Sequence, residues 1–411
     1  MKVRDILHCR SLQDAIRGIE TPFYFYDMDL FRRTVSELAS LSARYGIRVH
    51  YAVKANSQER LMKHIASFGF GADCVSGNEV TYSSRCGFRP ADIVFAGVGK
   101  TDREIISSLK LGIGTFNCES LEEIAAVDSL AASLGLKANV SVRINPDIDA
   151  HTHKYVTTGL YENKFGISRH EFEPLIELLG RCRSLNFHGL HFHIGSQITD
   201  VADVYGLECR RAAEITSWFE DHGVTVENID LGGGLGVDYE DPDGAPVPDF
   251  ALWFKTISDN LPVRPWQSVH VEPGRSVVAQ CGTLVSRVLF VKSGETKTFL
   301  ILDAGMNDLI RPALYGAYHK IENLTAGERP DISTDRTGDD GSGSGMQVYD
   351  VVGPVCESSD VWGAGRLLPR SRRGDVMAIR SAGAYGQVMS SRYNLRDLAP
   401  AVYSDDLLQL R

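Results

Sequence analysis

Short apolar runs with two-residue alternation recur from about Pro22 to Cys281, and stretches of helical spacing fill the gaps between them. In one of the first, Val49, Tyr51 and Val53 alternate with Arg48, His50 and Ala52. Leu61, Met62, Ile65 and Ala66 then predict a helix, with Ser57 as its cap. Strands are predicted at 49–54, 71–75, 92–96, 114–117, 139–144, 187–194, 228–231 and 268–272. Ser76-Gly-Asn-Glu79 and Ser120-Leu-Glu-Glu123 read as capping boxes that start two of the helices. Repeated βα units imply a parallel sheet, and this many over roughly 250 residues is the size of a closed (β/α)8 TIM barrel. An open doubly wound sheet is the alternative, but no G-x-G-x-x-G opens the first helix.

Beyond Cys281 the pattern changes. Runs at 283–291, 297–302, 347–355 and 375–380 are rich in Val, Leu and Ile, and turns rather than helices separate them. The expected division is an α/β barrel over 22–281, with 1–21 and 282–411 forming a mainly β domain, barrel or sandwich, that contributes substrate-site residues. The Gly-, Asp- and Ser-rich stretch 327–345 is predicted to be a solvated loop without chemistry.

A length of 411 residues agrees with two domains. The net charge of -10 argues against a nucleic-acid partner, because phosphate backbones are bound by clustered Lys and Arg. The eight cysteines are scattered with no C-x-x-C pair, which suggests neither a zinc knuckle nor a redox motif. No apolar run is long enough to span a bilayer, and Met1 to Cys9 lack the apolar core of a secretory signal. A cytoplasmic location without a membrane partner is therefore expected.

In a barrel, function lies at the carboxyl ends of the strands. Lys54 ends the first predicted strand. A buried amine there loses charge readily and can attack a carbonyl, although a lysine snorkelling from a strand end is the plainer alternative. His191-Phe-His-Ile-Gly-Ser196 ends the sixth strand, with His191 and His193 on one face. The pair suits a metal-dependent barrel hydrolase, an imidazole stacked on a ring, or a hydrogen-bonded core histidine. Asp230-Leu-Gly-Gly-Gly-Leu-Gly236 ends the seventh, where Gly233 and Gly234 let amides approach a phosphate or simply make a tight turn. Glu272-Pro-Gly-Arg275 ends the eighth, and Glu272 is either a site carboxylate or a partner of Arg275. An amine, a phosphate loop, a stacking ring and a carboxylate together meet the needs of pyridoxal 5′-phosphate.

With these motifs in order the chain resembles the fold-type III pyridoxal-phosphate-dependent decarboxylases nearly end to end. Tyr51-Ala-Val-Lys-Ala-Asn56, Gly71-Ala-Asp-Cys-Val-Ser-Gly-Asn-Glu79 and Val94-Phe-Ala-Gly-Val-Gly-Lys-Thr101 carry the resemblance. Arg143-Ile-Asn-Pro146, Glu162-Asn-Lys-Phe-Gly166 and His191-Phe-His-Ile-Gly-Ser-Gln197 continue it, followed by Glu272-Pro-Gly-Arg275. Asp308-Leu-Ile-Arg-Pro312, Gly353-Pro-Val-Cys-Glu-Ser358 and Gly383-Ala-Tyr-Gly386 complete it. The resemblance implies that Lys54 carries the cofactor as a Schiff base, His193 stacks on its ring and Glu272 pairs with its pyridine nitrogen. It implies too that Ser196, Gly233, Gly234, Gly274, Arg275 and Tyr385 hold its phosphate or lie beside it. It also implies that Arg275, Arg311, Tyr315, Glu357 and Tyr385 bind the substrate and that Cys356 assists reprotonation at Cα. Cys356 and Glu357 would come from the partner of a homodimer with shared active sites.

Arg311 and Glu357 offer a cation for a distal carboxylate and an acceptor for a distal ammonium, a pair that suits meso-2,6-diaminopimelate. Ornithine would leave the arginine unpaired. Decarboxylation of another basic amino acid, such as ornithine, arginine or lysine, stays open. So do a metal-dependent hydrolase using His191 and His193 and a silent homologue that only binds a partner.

Overall fold

The computed structural model describes residues 18–148, 164–326 and 345–408. Residues 1–17, His151, His153, Glu162 and 327–344 lie outside the described residues. The chain divides into two compact units, one formed by Thr34–Gly236 with Pro248–Val277, the other by Met1–Arg33, Val237–Val247 and Val278–Arg411.

The first unit contains a closed barrel of eight parallel strands. After β1 (Phe23–Tyr26) in the other unit, the barrel strands are β2 (Ile47–Ala52), β3 (Gly71–Cys74), β4 (Ile93–Phe95), β5 (Thr115–Cys118), β6 (Ala138–Arg143), β7 (Leu185–His191), β8 (Asn228–Asp230) and β9 (Ser268–Val271). Helix α1 (Met28–Tyr45) precedes them. Helices α2 (Glu59–Ser67), α3 (Gly77–Arg85), α4 (Asp102–Leu111), α5 (Leu121–Ser133), α6 (Phe172–Arg181), α7 (Gly206–Asp221), α8 (Phe250–Asn260) and the short α9 (Arg275–Val278) each follow one strand. Ile47–Val49 of β2 pair with Val269–Val271 of β9 and close the ring.

Each predicted barrel strand is present, with shifted ends. Strand β2 stops at Ala52, so Lys54 sits in a 3-10 turn, Val53–Ala55, rather than on the strand. Helix α2 starts without a side-chain cap at Gln58, and it is Asn56 Oδ1, not Ser57, that accepts the Gln58 amide. Ser76 and Ser120 do cap α3 and α5. Glu79 and Glu123, however, accept from Val75 and Glu119, one residue before the position a capping box requires. Reciprocal boxes are instead at Thr101 and Glu104 on α4 and at Ser168 and Glu171 ahead of α6, where the sequence reading had not placed them.

The other unit is mainly β. Strands β10 (Gly282–Ser293), β11 (Thr298–Leu302), β12 (Ile321–Asn323), β13 (Met346–Val352), β14 (Val361–Pro369) and β15 (Val376–Ile379) form the sheet order β12-β15-β10-β11-β13-β14. The pairing is mostly antiparallel, with β11 and β13 parallel. Strand β1 pairs antiparallel with β10 and parallel with β16 (Ala401–Tyr403). This corrects the expected boundary at Pro22: Phe23–Tyr26 completes the β sheet, because its backbone groups find partners there. The segment Val237–Val247 also joins this unit, where Arg380 grips Asp243 at 2.8 Å and Gln280 donates to the Ala245 carbonyl at 3.1 Å.

Candidate active site

A TIM barrel is ordinarily filled by branched apolar side chains. Here six of the eight barrel strands bring a buried polar residue to within one residue of the carboxyl end or just past it: Asp73, Asn117, Arg143, His191, Asp230 and Glu272. Burying such groups costs free energy unless they are paired, so their concentration marks a site built for a polar ligand.

Lys54 donates to Asp73 Oδ2 at 3.1 Å, and its side chain is 36% exposed while Asp73 is fully buried. The amine is therefore anchored and reachable, unlike a snorkelling surface lysine. Burial raises the Asp73 pKa and the Glu272 charge adds to this, while Lys54 opposes both. Asp73 Oδ1 has no partner.

Glu272, just past β9, accepts from His191 Nε2 at 3.1 Å and from Asn117 Nδ2 at 3.4 Å. Burial alone would raise its pKa, but His191 and Lys54 outweigh burial and hold the carboxyl well below the usual range. Asp230 moves the other way: burial and the adjacent Glu272 charge push it far up. The Glu272 charge thus opposes a second charge on Asp230, and Glu272 is the member of the pair whose ionised form its surroundings favour. His191, Asp230 and Glu272 each bring a ligand atom within 4.8 Å of the others. His193, the second imidazole of the hydrolase reading, is not among them. Strand β7 ends at His191, so the two histidines do not share a strand face. His193 Nδ1 accepts the Gly233 amide at 3.2 Å. Burial, with Arg143 and Lys54 nearby, lowers the His193 pKa well below its ordinary value, which leaves a neutral flat ring.

The glycine run after β8 is demanded by close packing. A Cβ on Gly233 would lie 2.1 Å from the Glu272 carbonyl oxygen, and Gly234 has φ +102° with the Gly195 carbonyl 2.5 Å from where its Cβ would be. Tyr205 Oη donates to the Gly233 carbonyl at 3.0 Å. Arg275 Nη2 donates to Ser196 Oγ at 3.0 Å, and a Cβ on Gly274 would meet Ala52 Cβ at 2.9 Å. Gly233→Ala should thus push the β8 loop away from Glu272, costing about 1–3 kcal/mol of stability. Denaturant unfolding of the purified variant would measure this, and an unchanged midpoint would contradict the packing argument.

The remaining sequence-predicted residues lie in the β unit. Arg311 is buried at the start of α10 (Arg311–Tyr315), which ends at Tyr315. Cys356 is exposed, and its amide donates to Asn394 Oδ1 at 2.9 Å. Hydrogen bonds from Ser359 and Tyr393 hold the neighbouring Glu357 carboxyl below its ordinary range. Tyr385 adopts φ 54°, a left-handed conformation that bulky residues seldom take. Its loop is tied down by the Ala382 and Gly383 amides, which donate to the Gly282 and Ala279 carbonyls.

The sequence reading missed Asp73, Asn117 and Asp230 as site groups. Their signal was available: each is a polar residue in a short strand that is otherwise buried.

Residues 29–279 match the family model for the pyridoxal-binding domain of pyridoxal-dependent decarboxylases. The chain belongs to the pyridoxal-dependent decarboxylase family. A diaminopimelate decarboxylase of Bacteroides thetaiotaomicron is 49% identical over 396 residues, covering 96% of this chain and 98% of the relative. One from Neisseria meningitidis serogroup B is 40% identical over 94% of this chain and 88% of its own length. The crystal structure of diaminopimelate decarboxylase from Helicobacter pylori complexed with L-lysine superposes with TM-score 0.85 at 36% identity, covering 97% of this chain and 98% of that one. Membership in the decarboxylase family replaces the hydrolase reading.

The barrel's donor set fits pyridoxal 5′-phosphate, the cofactor of this decarboxylase family. It offers a reachable amine, a carboxylate kept ionised by its surroundings, a neutral imidazole face and a glycine-lined loop beside Arg275 and Ser196.

Proposed function

We propose that the chain removes CO2 from meso-2,6-diaminopimelate to give L-lysine, as a carboxy-lyase with pyridoxal 5′-phosphate as cofactor. The observation that carries this reading is likeness to diaminopimelate decarboxylases over almost the full length, both units included. The bound cofactor supplies an aldehyde for amine exchange and a π system that accepts electrons from Cα as the carboxylate leaves.

The chain's own residues do the rest. Lys54 Nζ, steadied by Asp73, is the amine that would hold the cofactor. Ionised Glu272 would keep a proton on the cofactor's ring nitrogen and so strengthen electron withdrawal. The neutral His193 ring, its orientation set by the Gly233 amide, would stack on the cofactor. Ser196, Gly233, Gly234, Gly274 and Arg275 would hold the phosphate, a role the resemblance extends to Tyr385. Arg311 and Glu357 hold the far carboxylate and ammonium, with Arg275, Tyr315 and Tyr385 completing the substrate contacts. Cys356 Sγ returns a proton to Cα.

Cys356 and Glu357 sit in an exposed turn beside Tyr393 and Leu395, which is 95% exposed. Their exposure supports a homodimer in which each copy completes the other's site. Cytoplasmic location is part of the same proposal; among the described residues no helix is long and apolar enough to cross a membrane. Mixing two inactive variants, Lys54→Ala and Cys356→Ala, should restore part of the activity, since some mixed dimers hold one intact site. No recovery after subunit exchange would sink the shared-site reading. For the substrate, kcat/KM should favour diaminopimelate over ornithine, lysine and arginine; a preference for ornithine would overturn the assignment of Arg311.

A further inference from the structure

Arg311 is buried, and its Nη1 donates to Tyr239 Oη at 2.9 Å and to His319 Nε2 at 2.8 Å. A guanidinium carries donors only, so His319 Nε2 must be the acceptor. The imidazole proton then lies on Nδ1, which donates to the Arg380 carbonyl at 2.8 Å. These two bonds fix both the tautomer and the ring plane. Both Nη1 protons of Arg311 are committed, so this edge of the guanidinium cannot turn. Tyr239 also sets the group's tilt: Arg311 Cζ lies 4.9 Å from its ring centre, and the Tyr239 and His319 rings meet edge-on at 5.1 Å.

One residue organises both supports. The Arg380 carbonyl orients His319, and its buried guanidinium bridges Glu322 at 2.6 Å and Asp243 at 2.8 Å. Asp243 lies in Val237–Val247, the segment that carries Tyr239.

We propose that His319, together with Tyr239, is a positioning residue that aims Arg311 at the distal carboxylate of the substrate. It rests on the reading of Arg311 as the group that binds this carboxylate. Neutral His319 suits the task because it accepts from a cation without adding charge, so the guanidinium keeps its full attraction for an anion. A lysine at position 311 could not reproduce the arrangement, since it lacks the planar fork that His319 and Tyr239 hold.

The test compares two substitutions at His319. In His319→Asn the amide can still donate to the Arg380 carbonyl but does not reach Arg311. In His319→Gln the longer side chain presents an acceptor to Arg311. KM for diaminopimelate should rise about tenfold or more in His319→Asn, with kcat changed less, and His319→Gln should restore most of the loss. A role confined to holding the fold would leave Asn equivalent to wild type, or impair both variants alike; either result overturns the proposal. Tyr239→Phe keeps the ring and removes the oxygen, so it should also raise KM even if His319→Asn folds poorly. An unchanged KM in a folded Tyr239→Phe enzyme would equally overturn it. Arg311→Gln separates the two levels. If it raises KM while His319→Asn does not, only the positioning claim falls; if it leaves KM unchanged, the carboxylate reading fails and takes the proposal with it.

Discussion

Lys54→Ala is expected to yield a colourless protein whose turnover falls on the order of 10⁴-fold or more, since the amine that holds the cofactor and releases the product is gone. Colour and turnover should be lost together, because both depend on Nζ. The substitution also strips Asp73 of its 3.1 Å partner and leaves a buried carboxyl behind. That carboxyl already has a raised pKa from burial and from Glu272, and losing Lys54 pushes it further up. Protonation then limits the damage to the fold. Lys54→Arg provides the control: it keeps a cation beside Asp73 but has no amine able to exchange. It should melt near the wild-type temperature and be equally inactive. A Lys54→Ala protein that is yellow and turns over at the wild-type rate would remove the central residue from this account.

How far the sequence reveals such a site depends on how regular the surrounding backbone is. The barrel strands were legible because a parallel sheet covered by helices leaves short runs of buried residues between capped helices. Lys54, His193, Glu272 and the Gly233–Gly234 pair could be placed near strand ends for the same reason. Their neighbours were harder to read. Asp230 stood in plain view before the glycines, yet its role comes from the nearness of Glu272, just past a different strand, and strand periodicity carries no such distance. Strands β1, β12 and β16 are only three or four residues long, too short to show a period, and the glycines at 363 and 365 break the alternation in β14. Tyr239 and His319 escaped for another reason. Their meaning lies in hydrogen bonds to Arg311, and only the folded β unit brings Val237–Val247 to the helix that carries it.

The second large effect is expected at Glu272, and it should be smaller in the single variant than a lone carboxylate would suggest. Glu272→Gln removes the charge that keeps a proton on the facing nitrogen, so kcat should drop by about 10²–10³-fold, the scale of one lost electrostatic stabiliser. The same substitution relieves Asp230. Its pKa is raised by burial first and by the Glu272 charge second, so removing that charge lets Asp230 ionise more easily. Asp230 can then supply part of the missing negative potential from within the same cluster. Asp230→Asn alone should cost little, since that carboxyl is neutral while Glu272 is ionised. The double variant should lose substantially more than the product of the two single losses, because no carboxylate of the pair remains. Strict multiplicativity would show that Asp230 carries no charge in Glu272→Gln. A full-strength Glu272→Gln enzyme would mean that the carboxylate held down by His191 and Lys54 plays no part in drawing electrons from the substrate.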